Sequence, residues 1–168
     1  MEFHDVIRSR RSIRAYKPDA VEEDKLDRIL EAGRLAPTAA NRQAFEILVI
    51  RGEAREKLRR AYGREWLTDA PLTLLVCARP QTAWARSDAI NYAIVDAAIV
   101  MDHMILAAEA EGLGTCWIGA FTPQALREDL ALPEELEPVA MTPVGYAAES
   151  PDARPRKPLE ELVRVIIE

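Results

Sequence analysis

The sequence predicts a layered sheet-and-helix domain, α+β or α/β in class, on three observations. Short apolar runs of strand composition alternate with longer segments of helical periodicity. One segment, residues 91–112, is apolar nearly all round, as a helix buried on most faces is. Residues 162–167 are rich in Leu, Val and Ile, enough for a closing strand. Strands alternating with helices must stack into a sheet covered by helices. With 168 residues, the chain is long enough for a single domain, residues 1–168, with a sizeable core.

Taken in order, residues 2–10 read as a short helix with Phe3, Val6 and Ile7 on one face. The chain extends through 13–16 and turns at Lys17-Pro18-Asp19. Residues 21–35 read as a second helix, since Leu26, Ile29, Leu30 and Leu35 recur at roughly helical spacing, acidic residues fill the first turn, and Pro37 stops it. A loop of small and amide residues, 36–43, leads into a strand at 45–50. Residues 53–61 suit a polar helix and 72–78 a central strand. Residues 79–87 read as a loop, in which Trp84 either packs on its own segment or closes a pocket. Helix 91–112 ends at Gly112-Leu113-Gly114, and a chain this short can hardly cover it alone, which points to a second subunit. An apolar strand at 115–121 follows, then a helix at 123–130 with Thr122 as N-cap and Pro123 in its first turn. A strand at 139–145, an exposed Pro-rich segment at 150–158 and the terminal strand complete the chain.

Charge and cysteines narrow the functional class. A net charge of −6 argues against a general nucleic-acid binder. Residues 91–112 carry Asp96, Asp102, His103, Glu109 and Glu111, so they do not span a membrane. Cys77 and Cys116 sit in apolar runs, as reduced buried thiols do, and no C-x-x-C spacing occurs. Asp96, Asp102 and His103 find no further ligand at metal spacing; no metal is expected, and His103 reads as a core or interface residue. Residues 1–11 are charged and amphipathic, unlike the apolar core of a leader. A cytoplasmic protein is expected.

Against the acidic total, residues 1–18 are basic: Arg8, Arg10, Arg11, Arg14 and Lys17 stand against Glu2 and Asp5. Planar guanidiniums beside Ser12 suit a phosphate, and the same charges suit a solvated helix end. In Ala36-Pro37-Thr38-Ala39-Ala40-Asn41-Arg42-Gln43, small side chains let a flat ligand approach the backbone. Its amides can donate and accept toward a ligand or satisfy their own turn. Arg154, Arg156 and Lys157 form a second basic cluster.

These stretches, with Gly112-Leu113-Gly114-Thr115-Cys116-Trp117-Ile118-Gly119 and Gly145-Tyr146, occur in one order and together closely resemble the flavin-dependent nitroreductase family over nearly the whole chain. The resemblance implies a nitroreductase-like α/β/α sandwich, α+β in class, with a central, mostly antiparallel sheet. It implies an intertwined homodimer in which helix 91–112 packs at the interface and the C-terminal strand crosses to the partner's sheet. It further implies FMN as cofactor at two interface sites, with NADH or NADPH as electron donor. Arg10, Arg11 and Ser12 would face the phosphate and ribityl chain, Arg154 and Arg156 would close the phosphate site, and Arg14 would approach the pyrimidine end of the ring. Pro37, Thr38, Ala39, Asn41 and Gln43 would serve the flavin of the other subunit. Trp117, Ile118, Gly119 and Ala120 would lie along the ring near N5, with backbone N–H groups from Ile118 to Ala120 turned to it. No catalytic side chain is implied, because flavin N5 carries the hydride chemistry.

The chain also departs from the family pattern. Thr38-Ala39-Ala40 and Ala44-Phe45 stand where relatives often carry Ser after the Pro and Pro-Trp after the Gln; fewer hydroxyls imply modest FMN affinity. Gly63 and Trp66 stand where many have Asn and Lys, and Ile118 where Glu precedes the glycine. Residues 79–91 are the only segment for a lid. The implied activity is hydride transfer from NAD(P)H through FMN to a nitroaromatic, quinone or similar small acceptor, in ping-pong order. Alternatives are a specialised flavoenzyme of the same superfamily (reductive dehalogenase, flavin-cleaving enzyme or azoline oxidase) and a non-catalytic flavin-binding regulatory protein. No nucleic-acid or membrane partner is expected.

Overall fold

A computed structural model describes residues 2–167. It contains, in chain order, α1 (Phe3–Ser9), α2 (Glu23–Leu35), β1 (Phe45–Arg51), α3 (Trp66–Asp69), β2 (Leu72–Ala78), α4 (Ala93–Ala110), β3 (Gly114–Thr115), α5 (Pro123–Asp129), β4 (Glu137–Gly145) and α6 (Leu159–Leu162). The strands make one antiparallel sheet in the order β1-β2-β4-β3.

Every residue of β2 is buried, so this strand is the centre of the molecule. Its period of two divides the core between two faces. Leu72, Leu74, Val76 and Ala78 pack with α2 and α4, whereas Leu75 and Cys77 pack with α3, α5 and the tight turn ending at Leu58. The result is a helix–sheet–helix sandwich, α+β in class, as the sequence predicts. Among the described residues, no helix is long and apolar enough to cross a membrane.

The layer containing α4 explains why that helix is apolar nearly all round. Ala97, Val100, Met101, Met104 and Ala108 are fully buried, while Ile94 and Val95 on the same helix are exposed. The helix stops where Gly112 takes φ +77°, a left-handed conformation that glycine adopts without penalty. The Leu113 N–H then reaches Ala108 O at 2.9 Å and the Gly112 N–H reaches Glu109 O at 3.0 Å. These two bonds satisfy the last carbonyls in a Schellman arrangement.

Several segments differ from the elements expected. The run 115–121 is strand only at its start, Gly114–Thr115, with one further bridge between Ile118 and Met141. The register that pairs Thr115 with Val144 and Ile118 with Met141 puts Pro143 opposite Cys116, where the ladder needs an N–H that proline lacks. The Cys116 N–H turns instead to Thr142 Oγ1 at 3.0 Å. The terminal strand at 162–167 is absent from this sheet. Residues 159–162 form α6, and the described residues beyond, 163–167, pair with no strand of this chain, with Val165, Ile166 and Ile167 at 73, 85 and 87% exposure. A strand exists only against another edge, and the Pro-rich segment 150–158 separates this one from β4. The polar helix at 53–61 is a 3₁₀ turn over Gly52–Leu58, closed by three-residue bonds such as Arg59 N–H to Glu56 O at 3.2 Å. The second helix begins at Glu23 rather than residue 21. At four residues, α3 was too short to show a period in the sequence.

Candidate functional site

Residues 12–17 form an extended strap that gathers the site. The Ile13 N–H donates to Thr115 O and the Lys17 N–H to Tyr146 O, both at 2.8 Å; the Ala148 N–H returns a bond to Ala15 O at 2.9 Å. The Arg14 N–H is held by the Glu149 carboxylate. The strap lies this close to β3 because residue 114 has no side chain: a Cβ there would meet Ile13 Cγ1 at 2.8 Å. Strap and post-β4 segment thus run together, and arginines far apart in sequence converge.

They converge on a cavity of about 440 Å³. Arg8, Arg10, Arg11, Arg14, Arg154 and Arg156 line it with Ser12, and Asp152 is its one acidic residue. None of these six guanidiniums forms an ion pair with a described carboxylate, whereas Arg28, Arg34, Arg60 and Arg86 elsewhere all do. Part of Arg11 is spent on structure: its Nη1 donates to the carbonyls of Arg8, Ser9 and Arg10 at 2.6, 2.9 and 2.9 Å, closing the end of α1. The Arg156 Nη1 likewise donates to the carbonyls of Arg154 and Pro155, at 3.1 and 3.2 Å. The Arg14 guanidinium stands 5.9 Å over the Trp66 ring, which in turn meets Tyr62 edge-to-face at 5.5 Å. Six cations gathered with one lining carboxylate repel one another, and a bound anion reduces that cost. Forked N–H donors lining a cavity with room for more than a phosphate group fit a phosphate monoester well.

Arg8 and Glu149 were not singled out as site residues from sequence, and Trp66 entered only as a departure from the family pattern. Arg8 was legible only as part of a basic stretch. Glu149 and Trp66 carry no local signal, because the strap alone brings them to Arg14.

The other sequence-designated residues lie outside this cavity. Pro37, Thr38, Ala39, Asn41 and Gln43 belong to a tight turn in which Ala40, Asn41 and Gln43 take φ of 50, 52 and 50°. Left-handed backbone at non-glycine residues costs about 1 kcal/mol or more each, so something must hold this turn. Trp117, Gly119 and Ala120 are exposed, and the N–H groups of Gly119 and Ala120 make no hydrogen bond to a described residue. Ile118 corrects an expectation. Its N–H is already given to Met141 O at 2.9 Å and its side chain is buried, so its amide is not open to a ligand. Burial also pushes the neighbouring Cys116 thiol up from its ordinary range, so it is no ready nucleophile. The short segment after β2 is ordered by its own bonds. The Tyr92 N–H reaches Trp84 O at 3.0 Å, and the two rings meet edge-to-face at 5.0 Å.

Comparison with known proteins adds an independent line. The model of the nitroreductase family matches residues 7–67 and 59–146. A Bacillus subtilis protein named FMN reductase (NAD(P)H) is 34% identical over 94% of this chain and 72% of its own length. A solved nitroreductase family protein of Clostridium difficile superposes with a TM-score of 0.90, at 36% identity and 98% coverage of both chains. An FMN-dependent nitroreductase of the same species gives a TM-score of 0.77 at 30% identity, covering 89% of this chain and 90% of its own.

Proposed function

The chain belongs to the nitroreductase family, and from that premise we propose that it is an FMN-dependent oxidoreductase drawing electrons from NAD(P)H. The observation that carries the reading is the cavity where six arginines meet without a carboxylate partner. Arg10, Arg11 and Ser12 hold the phosphate and ribityl chain from the strap, with Arg8 beside them, and Arg154 and Arg156 close over the phosphate. Arg14, steered by the Trp66 ring, faces the pyrimidine edge, where a cation stabilises added negative charge. Gly119 and Ala120 offer their unengaged N–H groups to the polar edge, and the bonds between Ile118 and Met141 hold that segment in place. Trp117 flanks the ring. Pro37, Thr38, Ala39, Asn41 and Gln43 serve the flavin held mainly by a partner subunit. Bound FMN supplies the hydride chemistry at N5, so no side chain need act as acid, base or nucleophile.

The acceptor is a nitroaromatic, quinone or similar small molecule. The protein is one domain, residues 1–168, paired as a homodimer in the cytoplasm. Supporting the homodimer, Leu35, Ile94 and the apolar tail residues are all exposed in the single chain. The test is to record the visible spectrum of the purified protein, then add NADH and NADPH separately without oxygen. A bleached flavin spectrum is expected and names the donor. A flavin spectrum that persists would turn the reading to a non-catalytic flavin-binding protein, and a colourless protein that takes up no FMN would overturn the cofactor.

A further inference from the structure

We propose that Asp96 is a positioning residue for the loop 38–43, fixing its left-handed backbone in the geometry that meets the flavin. The proposal rests on the reading of that loop as a cofactor contact and names what holds it.

Asp96 lies in the first turn of α4 and is 1% exposed. Its Oδ1 accepts the Ala39 N–H at 2.9 Å. Its Oδ2 is equally buried and meets no donor among the described residues. A carboxylate is a poor choice for a helix packed in an apolar layer, so one kept there with an oxygen unsatisfied needs a reason. The Ala39 N–H is that reason.

Among the described residues, this is the hydrogen bond that ties the loop to the helix layer. The others run within the loop or to the adjoining strand: Asn41 N–H to Thr38 O at 2.9 Å, Gln43 N–H to Thr38 Oγ1 at 3.0 Å, Phe45 N–H to Gln43 O at 2.9 Å. They give the turn its shape but do not fix it against the body of the protein. Backbone held at positive φ in Ala40, Asn41 and Gln43 persists only where the surroundings over-determine it. A buried side-chain oxygen fixed in the first turn of a helix supplies such an anchor. Without it, the loop swings between conformers and the contacts of Thr38, Ala39 and Asn41 are present only part of the time.

Full-length variants test this from both ends of the bond. Asp96→Leu removes the acceptor. Ala39→Pro removes the donor, at the start of a turn that follows the extended Thr38, where proline fits. FMN dissociation constants, exchange of the Ala39 amide and melting temperatures are read together. Each variant is expected to raise the FMN Kd about tenfold, the scale of one lost buried hydrogen bond. The double variant is expected to add nothing further, and Asp96→Asn, whose amide oxygen still accepts, to recover most of the affinity. Asp96→Leu is expected to melt no lower than the parent, since the unsatisfied oxygen is gone; a merely structural role would instead lower stability and spare affinity. Unchanged FMN Kd in both single variants, or additive losses in the double variant, would overturn the proposal. Should the variants not fold, the parent still decides: its Ala39 amide is expected to be protected without FMN, and fast exchange there would overturn the anchor. A parent that binds no FMN would remove the cofactor reading and this proposal together, whereas a parent and variants that bind FMN equally would remove the proposal alone.

Discussion

One methyl group at position 114 decides whether the strap can lie against β3. Gly114→Ala sets a Cβ 2.8 Å from Ile13 Cγ1 and 3.0 Å from Ile13 Cβ, and β-branched Ile13 cannot swing aside easily. A loss of about 1–3 kcal/mol is expected in urea unfolding, the range for overpacking a well-filled site. Ile13→Ala in the same background should restore part of it, and no recovery would show that the clash lies elsewhere. The arginines make a second prediction at this scale. Arg10→Ala with Arg156→Ala should raise the FMN Kd by about tenfold or more, since each removes a charge-assisted donor; flavin content unchanged after gel filtration would reject the phosphate assignment. Arg14→Ala should lower the flavin reduction potential, read by dye equilibration, because the proposed placement of Arg14 makes it the cation at the pyrimidine edge. Arg10, Arg11, Ser12 and Arg14 were legible as a group from composition and order alone. Their convergence with Arg154 and Arg156 was implied by the family resemblance and not by composition or spacing, because it depends on bonds between residues 13–17 and 115–148.

Strand β2 shows what an element adds to its residues. Burial inside this strand pushes the Cys77 thiol up to about 12. The folded state therefore keeps a proton that the unfolded chain gives up near the ordinary value of 9.0. The stability Cys77 contributes is whole below that ordinary value and is lost as pH rises toward about 12. Urea midpoints should fall across this alkaline window, and Cys77→Ala should flatten the slope; an identical slope in the variant would place the titration elsewhere. The apolar run of β2 and the long apolar helix were legible because each of β2 and α4 sustains an apolar composition over several pleats or turns. Gly114–Thr115 and α6 were not, because two and four residues carry no period and their boundaries follow from Pro143 and from the lack of a neighbouring edge.

Taken whole, the single chain leaves apolar surface that its own core cannot absorb. Ile94 on α4 is 60% exposed, and so, more completely, is the tail beyond α6. Sedimentation is expected to give twice the 18.8 kDa chain mass. Ile94→Asp with Ile166→Asp should shift the protein toward monomer and lower its flavin content, since a charge buried in an apolar interface is strongly disfavoured. A parent that sediments as a monomer would reject the dimer.

The sequence by itself determined the alternation of helices and strands, the buried centre at β2 and α4, the basic N-terminus and the family resemblance. Each of these is written in local composition, periodicity or the order of short motifs. Only the tertiary structure decided which bonds draw the guanidiniums together, that the Ile118 amide is spent on Met141, that Asp96 accepts the Ala39 N–H and that residues 163–167 find no edge in their own chain's sheet. Those outcomes depend on which distant N–H finds which carbonyl or carboxylate, and no local pattern encodes a partner that lies tens of residues or more away.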